Sequence, residues 1–180
     1  MTDIAVQDRS VPASTVRLAA EGDEAAFTRL VSQHRAAMSG VAFVICGDPE
    51  ATRDAVQNAW SIAWRRLHTL RDPDQVRPWL LTIAANEARQ AIRAQRRRPV
   101  IDISDTVQDA GGDPADSIGL VDLQRALAHL NSDDRRLLAL RYVAGLDSTE
   151  IARHLGLSAS GVRSRLARVI ERLRMDIDHA

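Results

Sequence analysis

Between Arg153 and Arg174 the chain sets six arginines against a single acid, Glu171. Within this stretch lies TEIARHLGLSASGVRSRL, residues Thr149 to Leu166. Ile151 and Leu155 fall on one face of a short helix, and Ala152 is small where a second helix must cross closely. Gly156 supplies the positive φ that ends the first helix. Leu157 is expected to plug the turn and Ser158 to cap the second helix, with Val162 and Leu166 facing inward. This is the arithmetic of a helix-turn-helix, whose second helix enters the DNA major groove. Its outward positions include Ser160, Arg163, Ser164, Ala167 and Arg168, and Gly161 and Arg165 complete the candidate DNA-reading set. Arginine there forks onto guanine or onto a phosphate. The competing reading is a helical hairpin that only packs or docks a protein. A merely solvated face, however, usually mixes its charges more evenly.

A second basic cluster comprises Arg89, Arg93, Arg96, Arg97 and Arg98. Steps of four and three put Arg89, Arg93 and Arg96 on one helix face. Two readings stand side by side: a solvated helix end favoured by the dipole, or a stripe that tracks a nucleic-acid backbone.

These residues need elements to hold them. Residues to about Arg98 read as helical, without hairpin signals or sustained two-residue alternation. Phe27, Leu30, Val31, Met38, Val41, Ala42 and Ile45 recur at helical spacing from Asp23 to Cys46. Gly47-Asp48-Pro49 ends that helix and starts another, with Asp48 as N-cap and Pro49 at the first helical position. The new helix runs to about Leu70. Arg71 to Asp74 reads as a turn, and a third helix runs from about Val76 to Arg97. From Leu120 the chain is helical again. Asn131 caps a helix that carries Leu137, Leu138, Leu140 and Val143 to Gly145, and the helix-turn-helix pair comes next. The expected fold is therefore all-α: two small helical domains, 1–98 and 120–180, joined by a flexible acidic linker at 99–119.

The 180 residues hold 24 cations and 24 acids, and every cation is arginine. The neutrality is an average. Residues 1–99 carry +3, residues 100–120 carry −5 with five Asp and no Arg, and residues 121–180 carry +2. The single cysteine, Cys46, excludes an internal disulfide scaffold. No apolar run approaches the ~18 residues of a membrane span, and no signal peptide opens the chain, so a cytoplasmic location without membrane insertion is expected. His34, His68, His129, His154 and His179 are scattered, and none forms metal-ligand spacing with Cys46. With no phosphate loop or nucleophile motif, no metal, cofactor or enzymatic activity is expected.

Two basic helical ends on an acidic tether resemble regions 2 and 4 of the extracytoplasmic-function (group 4) bacterial sigma factors. Three segments carry the resemblance. One is Asp54-Ala55-Val56-Gln57 with Trp60, Ala63 and Trp64; another is Arg77-Pro78-Trp79-Leu80-Leu81-Thr82-Ile83-Ala84-Ala85-Asn86 with Arg93 and Arg96 to Arg98; the third is the helix-turn-helix ending Gly161-Val162-Arg163-Ser164-Arg165-Leu166. Arg53, Ala55, Asn58 and Gly161 depart from residues common in the family. The resemblance implies an alternative sigma factor that binds core RNA polymerase at its clamp and flap and directs promoter-specific initiation. It implies polymerase contacts from Asp54, Gln57, Asn58 and Ser61. It implies −10 contacts from Asp72, Trp79, Asn86, Arg89, Arg93, Arg96 and Arg97, and −35 reading by the helix-turn-helix. Trp79 is expected mainly as core, with Asn86 the better polar candidate. Promoter DNA and an anti-sigma factor are the further partners implied. The alternative is a stand-alone helix-turn-helix repressor, which needs a dimerisation element to read two half-sites.

Overall fold

Local caps set the helix boundaries. In a computed structural model, which describes residues 11–95 and 125–178, the first helix is α1 (Ala13–Ala20). Asp23 then accepts a hydrogen bond from the Ala26 amide at 2.7 Å and starts α2 (Glu24–Cys46). Gly47, at φ 72°, ends α2 in the left-handed region that an L side chain avoids. Asp48 accepts from the Ala51 amide at 2.7 Å, and Pro49 opens α3 (Pro49–Arg66). Two short 3₁₀ turns, Leu67–Thr69 and Pro73–Gln75, lead into α4 (Val76–Gln95).

The second unit begins with a helical turn at 125–129. Asn131 caps α5 (Ser132–Leu138) by accepting from the Asp134 amide at 2.9 Å. Continuous helix to Gly145 was expected; instead α5 widens into a π-helical turn, Ala139–Val143, closed by the Ala144 amide on the Ala139 carbonyl at 2.9 Å. The wider turn rotates Val143 off the apolar stripe and leaves it 44% exposed. Next comes α6 (Ser148–Leu155), started by a reciprocal box: Asp147 accepts from the Thr149 and Glu150 amides, and Glu150 accepts from the Asp147 amide. The last element is α7 (Ala159–Asp178).

All the regular structure among the described residues is helical. Helix α2 lies at the centre, packed by α1, α3 and α4 and also by α5 and its π turn. Two helical domains were expected, with their relative orientation open; the buried side chains form one continuous cluster running from Val16 to Val169. The second unit packs against α2 and α4. Gly40 lies at this contact, where a Cβ would stand 3.4 Å from a Val143 methyl. The acidic linker expected at 99–119 lies outside the described residues.

Candidate nucleic-acid interface

Helices α6 and α7 meet as the sequence pattern requires. Ile151, Ala152, Val162, Leu166 and Val169 are buried between them and α5. Gly156 sits at φ 66°, and the Leu157 amide reaches back to the Ala152 carbonyl at 3.0 Å. The Leu157 side chain does not plug the turn; it is exposed, and its backbone closes the motif. Ser158 Oγ accepts from the Gly161 amide at 3.1 Å, as an N-cap should.

On α7, Ser160, Gly161, Arg163, Ser164, Ala167 and Arg168 are exposed. Arg165 differs. Its Nε lies 2.6 Å from Asp134 Oδ1, and Asp134 is buried and also accepts from Asn131 Nδ2 at 2.7 Å. A charge-assisted bond in so short a geometry is strong. It holds the middle of α7 to the first turn of α5. Gly161 has its own local reason, since a Cβ there would come within 2.9 Å of Ser158 Oγ, the capping atom.

The polymerase candidates Asp54, Gln57, Asn58 and Ser61 recur along α3 and are all exposed. The opposite face buries Thr52, Ala55, Val56, Ala59 and Ala63 against α2 and α4. Trp60 and Trp64 pack on Phe27 in T-shaped contacts at 5.8 and 4.8 Å, and Trp64 remains 40% exposed.

The −10 candidates are split. Asp72 is exposed and caps the 3₁₀ turn before α4 by accepting from the Asp74 amide. Trp79 packs against the core, partly buried. Arg93 is exposed, while Arg96 and Arg97 lie outside the described residues. Asn86 Oδ1 accepts from an Arg136 guanidinium nitrogen at 2.8 Å. Arg89 lies 3.3 Å from Asp133, which also pairs with Arg136 at 3.4 Å. Burial, with Arg89 adding to it, pushes the Arg136 guanidinium below its ordinary range, against the pull of Asp133. Two candidates on α4 are thus engaged by the second unit. Sequence reasoning did not reach these pairs, because their partners lie 44 to 50 residues away with no local signal.

At the junction an apolar groove of about 470 Å³ is lined by Val44, Leu127, Leu138, Val143, Ile170 and Leu173. Tyr142 and Arg174 stand at its edge and are exposed. Among the described residues no cluster of His, Cys, Asp or Glu could hold a metal ion. None of the described helices is long and apolar enough to cross a membrane.

Comparison with known proteins agrees with this geometry. Residues 30–98 match the family model for sigma-70 region 2, and residues 120–173 match that for sigma-70 region 4. The chain is 33% identical to the probable RNA polymerase sigma factor RfaY of Xanthomonas campestris, over 88% of this chain and 42% of that protein. It is 32% identical to the ECF RNA polymerase sigma-E factor of Escherichia coli, over 84% of this chain and 86% of that one. In three dimensions it resembles CnrH, whose structure was solved in complex with the cytosolic domain of CnrY. That likeness has a TM-score of 0.70 and 27% identity, and covers 93% of this chain and 97% of the other. The chain belongs to the sigma-70 family of RNA polymerase sigma factors, among the extracytoplasmic-function members. It is an alternative sigma factor that directs transcription initiation, not a stand-alone repressor.

Proposed function

We propose that this chain is a cytoplasmic group 4 sigma factor whose α3 docks on the polymerase clamp. Region 2 spans 1–98 and region 4 spans 120–180, with the acidic tether between them. Asp54, Gln57, Asn58 and Ser61 face the clamp, and region 4 meets the flap. The −10 element is handled from the turn at Asp72 along α4 through Trp79, Asn86, Arg89 and Arg93, and onward to Arg96 and Arg97. The −35 element is read by Ser160, Gly161, Arg163, Ser164, Ala167 and Arg168, with Arg165 at the edge of that set. The observation that carries the reading is the exposed arginine face of α7 on a closed helix-turn-helix. A fork from Arg163 to guanine discriminates against a wrong base by about 1–3 kcal/mol.

The groove lined by Val44, Leu138, Ile170 and Leu173 suits the apolar face of an anti-sigma helix. Its support is its composition and its position across both units. Reconstituted run-off transcription with core polymerase on a promoter library tests the central claim. Discrete start sites that depend on the added chain are expected. Core polymerase binding without any selected promoter would refute the promoter-reading assignment.

A further inference from the structure

The apolar grip on α7 is narrow. Among its described residues only Val162, Leu166 and Val169 are buried. Further along, Ile170 and Leu173 are half-buried and line the open groove of about 470 Å³. Apolar burial is non-directional, so a stripe of this width resists removal of the helix more than its rotation. Side chains stand roughly 5–6 Å from a helix axis, and a rotation of ~20° moves them by about 2 Å. A recognition geometry must be held to within about 0.5 Å. The reading face of α7 therefore needs a directional contact beside its apolar stripe.

Arg165 supplies that contact. It follows Val162 by three positions and precedes Val169 by four, which sets it at the border of the buried stripe. Its Nε donates to Asp134 Oδ1 at 2.6 Å, across 31 residues of sequence. The carboxylate is oriented independently of Arg165. Asn131 Nδ2 donates to its other oxygen, Oδ2, at 2.7 Å, and Asn131 Oδ1 accepts from the Asp134 amide at 2.9 Å. Both oxygens of a buried carboxylate are thus directed. The acceptor also sits on a fixed element, since Leu137 and Leu138 bury the same short helix, α5, in the core.

We propose that Asp134 is a positioning residue for −35 recognition and acts through Arg165: their bond fixes the rotation of α7, so that Arg163, Ser164 and Arg168 meet base edges in register. The inference rests on the proposed reading of the −35 element by α7. It takes Arg165 out of the base-reading set and gives it a different task. Arg163, Ser164, Ala167 and Arg168 are exposed, whereas Arg165 turns to α5 and its side chain is 36% exposed. The atom engaged is informative as well. Nε is the innermost nitrogen of the guanidinium, so a bond there ties the side chain close to the backbone it must steady. Charge assistance and the short separation make the bond strong. Both partners belong to the second unit, and the contact steadies α7 from within it.

The test is a ratio. Run-off transcription by core polymerase with the full chain is measured on a selected promoter and on derivatives with single −35 base changes. A bond that only stabilised the fold would lower initiation on all of them alike and leave their ratio unmoved. Arg165→Gln keeps an N–H donor at the Nε position and discards the guanidinium tip; Arg165→Met keeps the length without a donor. Arg165→Gln should hold the ratio within ~twofold of the parent chain, and Arg165→Met should lower it by ~tenfold, the scale of one lost base contact. Asp134→Ala should match Arg165→Met, and the two combined should be no worse than either alone, as partners in one bond require. If Arg165→Gln were as impaired as Arg165→Met, the tip would be the working part and the positioning role would be overturned. An unmoved ratio in both Arg165→Met and Asp134→Ala would also overturn it. Arg163→Ala in the same assay separates the two claims. A lowered ratio there, with Arg165→Met and Asp134→Ala unmoved, removes the positioning role alone. An unmoved ratio in Arg163→Ala removes α7 as the reading helix, and the positioning role with it.

Discussion

Helices α4 and α7 each span 20 residues, and each carries arginines: Arg77, Arg89 and Arg93 on α4, and Arg163, Arg165, Arg168, Arg172 and Arg174 on α7. Their apolar residues are arranged differently. Helix α4 buries Val76, Pro78, Leu80, Leu81, Thr82, Ala84, Ala85, Ala88 and Ile92, a set that runs most of the way round. Helix α7 buries only Val162, Leu166 and Val169, a narrow stripe at steps of four and three. A helix gripped on one stripe offers the rest of its circumference to a ligand. A helix gripped from several sides has only one face left, and a neighbour that covers that face takes the whole site. The contrast shows why α7 leaves Arg163 and Arg168 exposed while Arg89 of α4 is engaged by Asp133.

The largest effect that would sharpen this contrast is on α7. Arg163→Ala should lower −35-dependent initiation by ~10–100-fold and relax sequence choice in a promoter-library readout. An unchanged promoter profile would mean that the exposed face of α7 is not the reading face. Next comes the anchor of that helix. Asp134→Ala strands Arg165 and removes an acceptor from Asn131, so denaturant unfolding should show a loss of about 1–3 kcal/mol. No loss would make the α5–α7 bond incidental. On α3, Asp54→Ala with Gln57→Ala should weaken core polymerase affinity by ~tenfold without moving the melting temperature, since both side chains are solvent-facing. Unaltered competition for core enzyme would remove that face from the docking surface.

A smaller effect concerns pH. Burial, aided by Arg153, holds the His154 imidazole below its ordinary pKa, and Glu150 opposes them. The unfolded chain then binds the proton more readily than the folded one. The contribution of His154 is therefore intact above about pH 6.5 and is lost as pH falls toward the folded value. The melting temperature should drop between about pH 7 and pH 5, and His154→Gln should flatten that part of the slope. The smallest effect expected is that of Gly161→Ala. Relief of glycine's ~1 kcal/mol helix penalty is set against displacement of the Ser158 cap, worth about as much. Stability should shift by less than ~0.5 kcal/mol, and a larger gain would show that the cap contributes little.

Much of the fold was legible in the sequence because its punctuation is local. Asp23, Asp48-Pro49, Asn131 and Asp147 each act within three residues of themselves. The helix-turn-helix was legible for the same reason: Gly156 and Ser158 announce its turn, and Val162 and Leu166 its inner face. What stayed hidden depends on distance or on small backbone variations. Helix α1 is short and rich in alanine, and only Thr15, Val16 and Ala19 mark its buried side. The π turn at Ala139–Val143 has no compositional signature, yet it delivers Val143 to Gly40. The joining of the two units rests on Arg77, Arg136 and Arg153, whose partners are 50 to 78 residues away. An arginine that pairs across such a gap looks, in sequence, like any solvated cation.

The one cysteine carries a consequence for signalling chemistry. Cys46 is buried beneath α4, with its thiol directed at the Ala88 carbonyl, and burial pushes it up to about 11. Near neutral pH the thiol form dominates there, and the thiolate is the species that reacts with peroxide and disulfides. Burial and the raised pKa both disfavour direct reaction of Cys46 with peroxide.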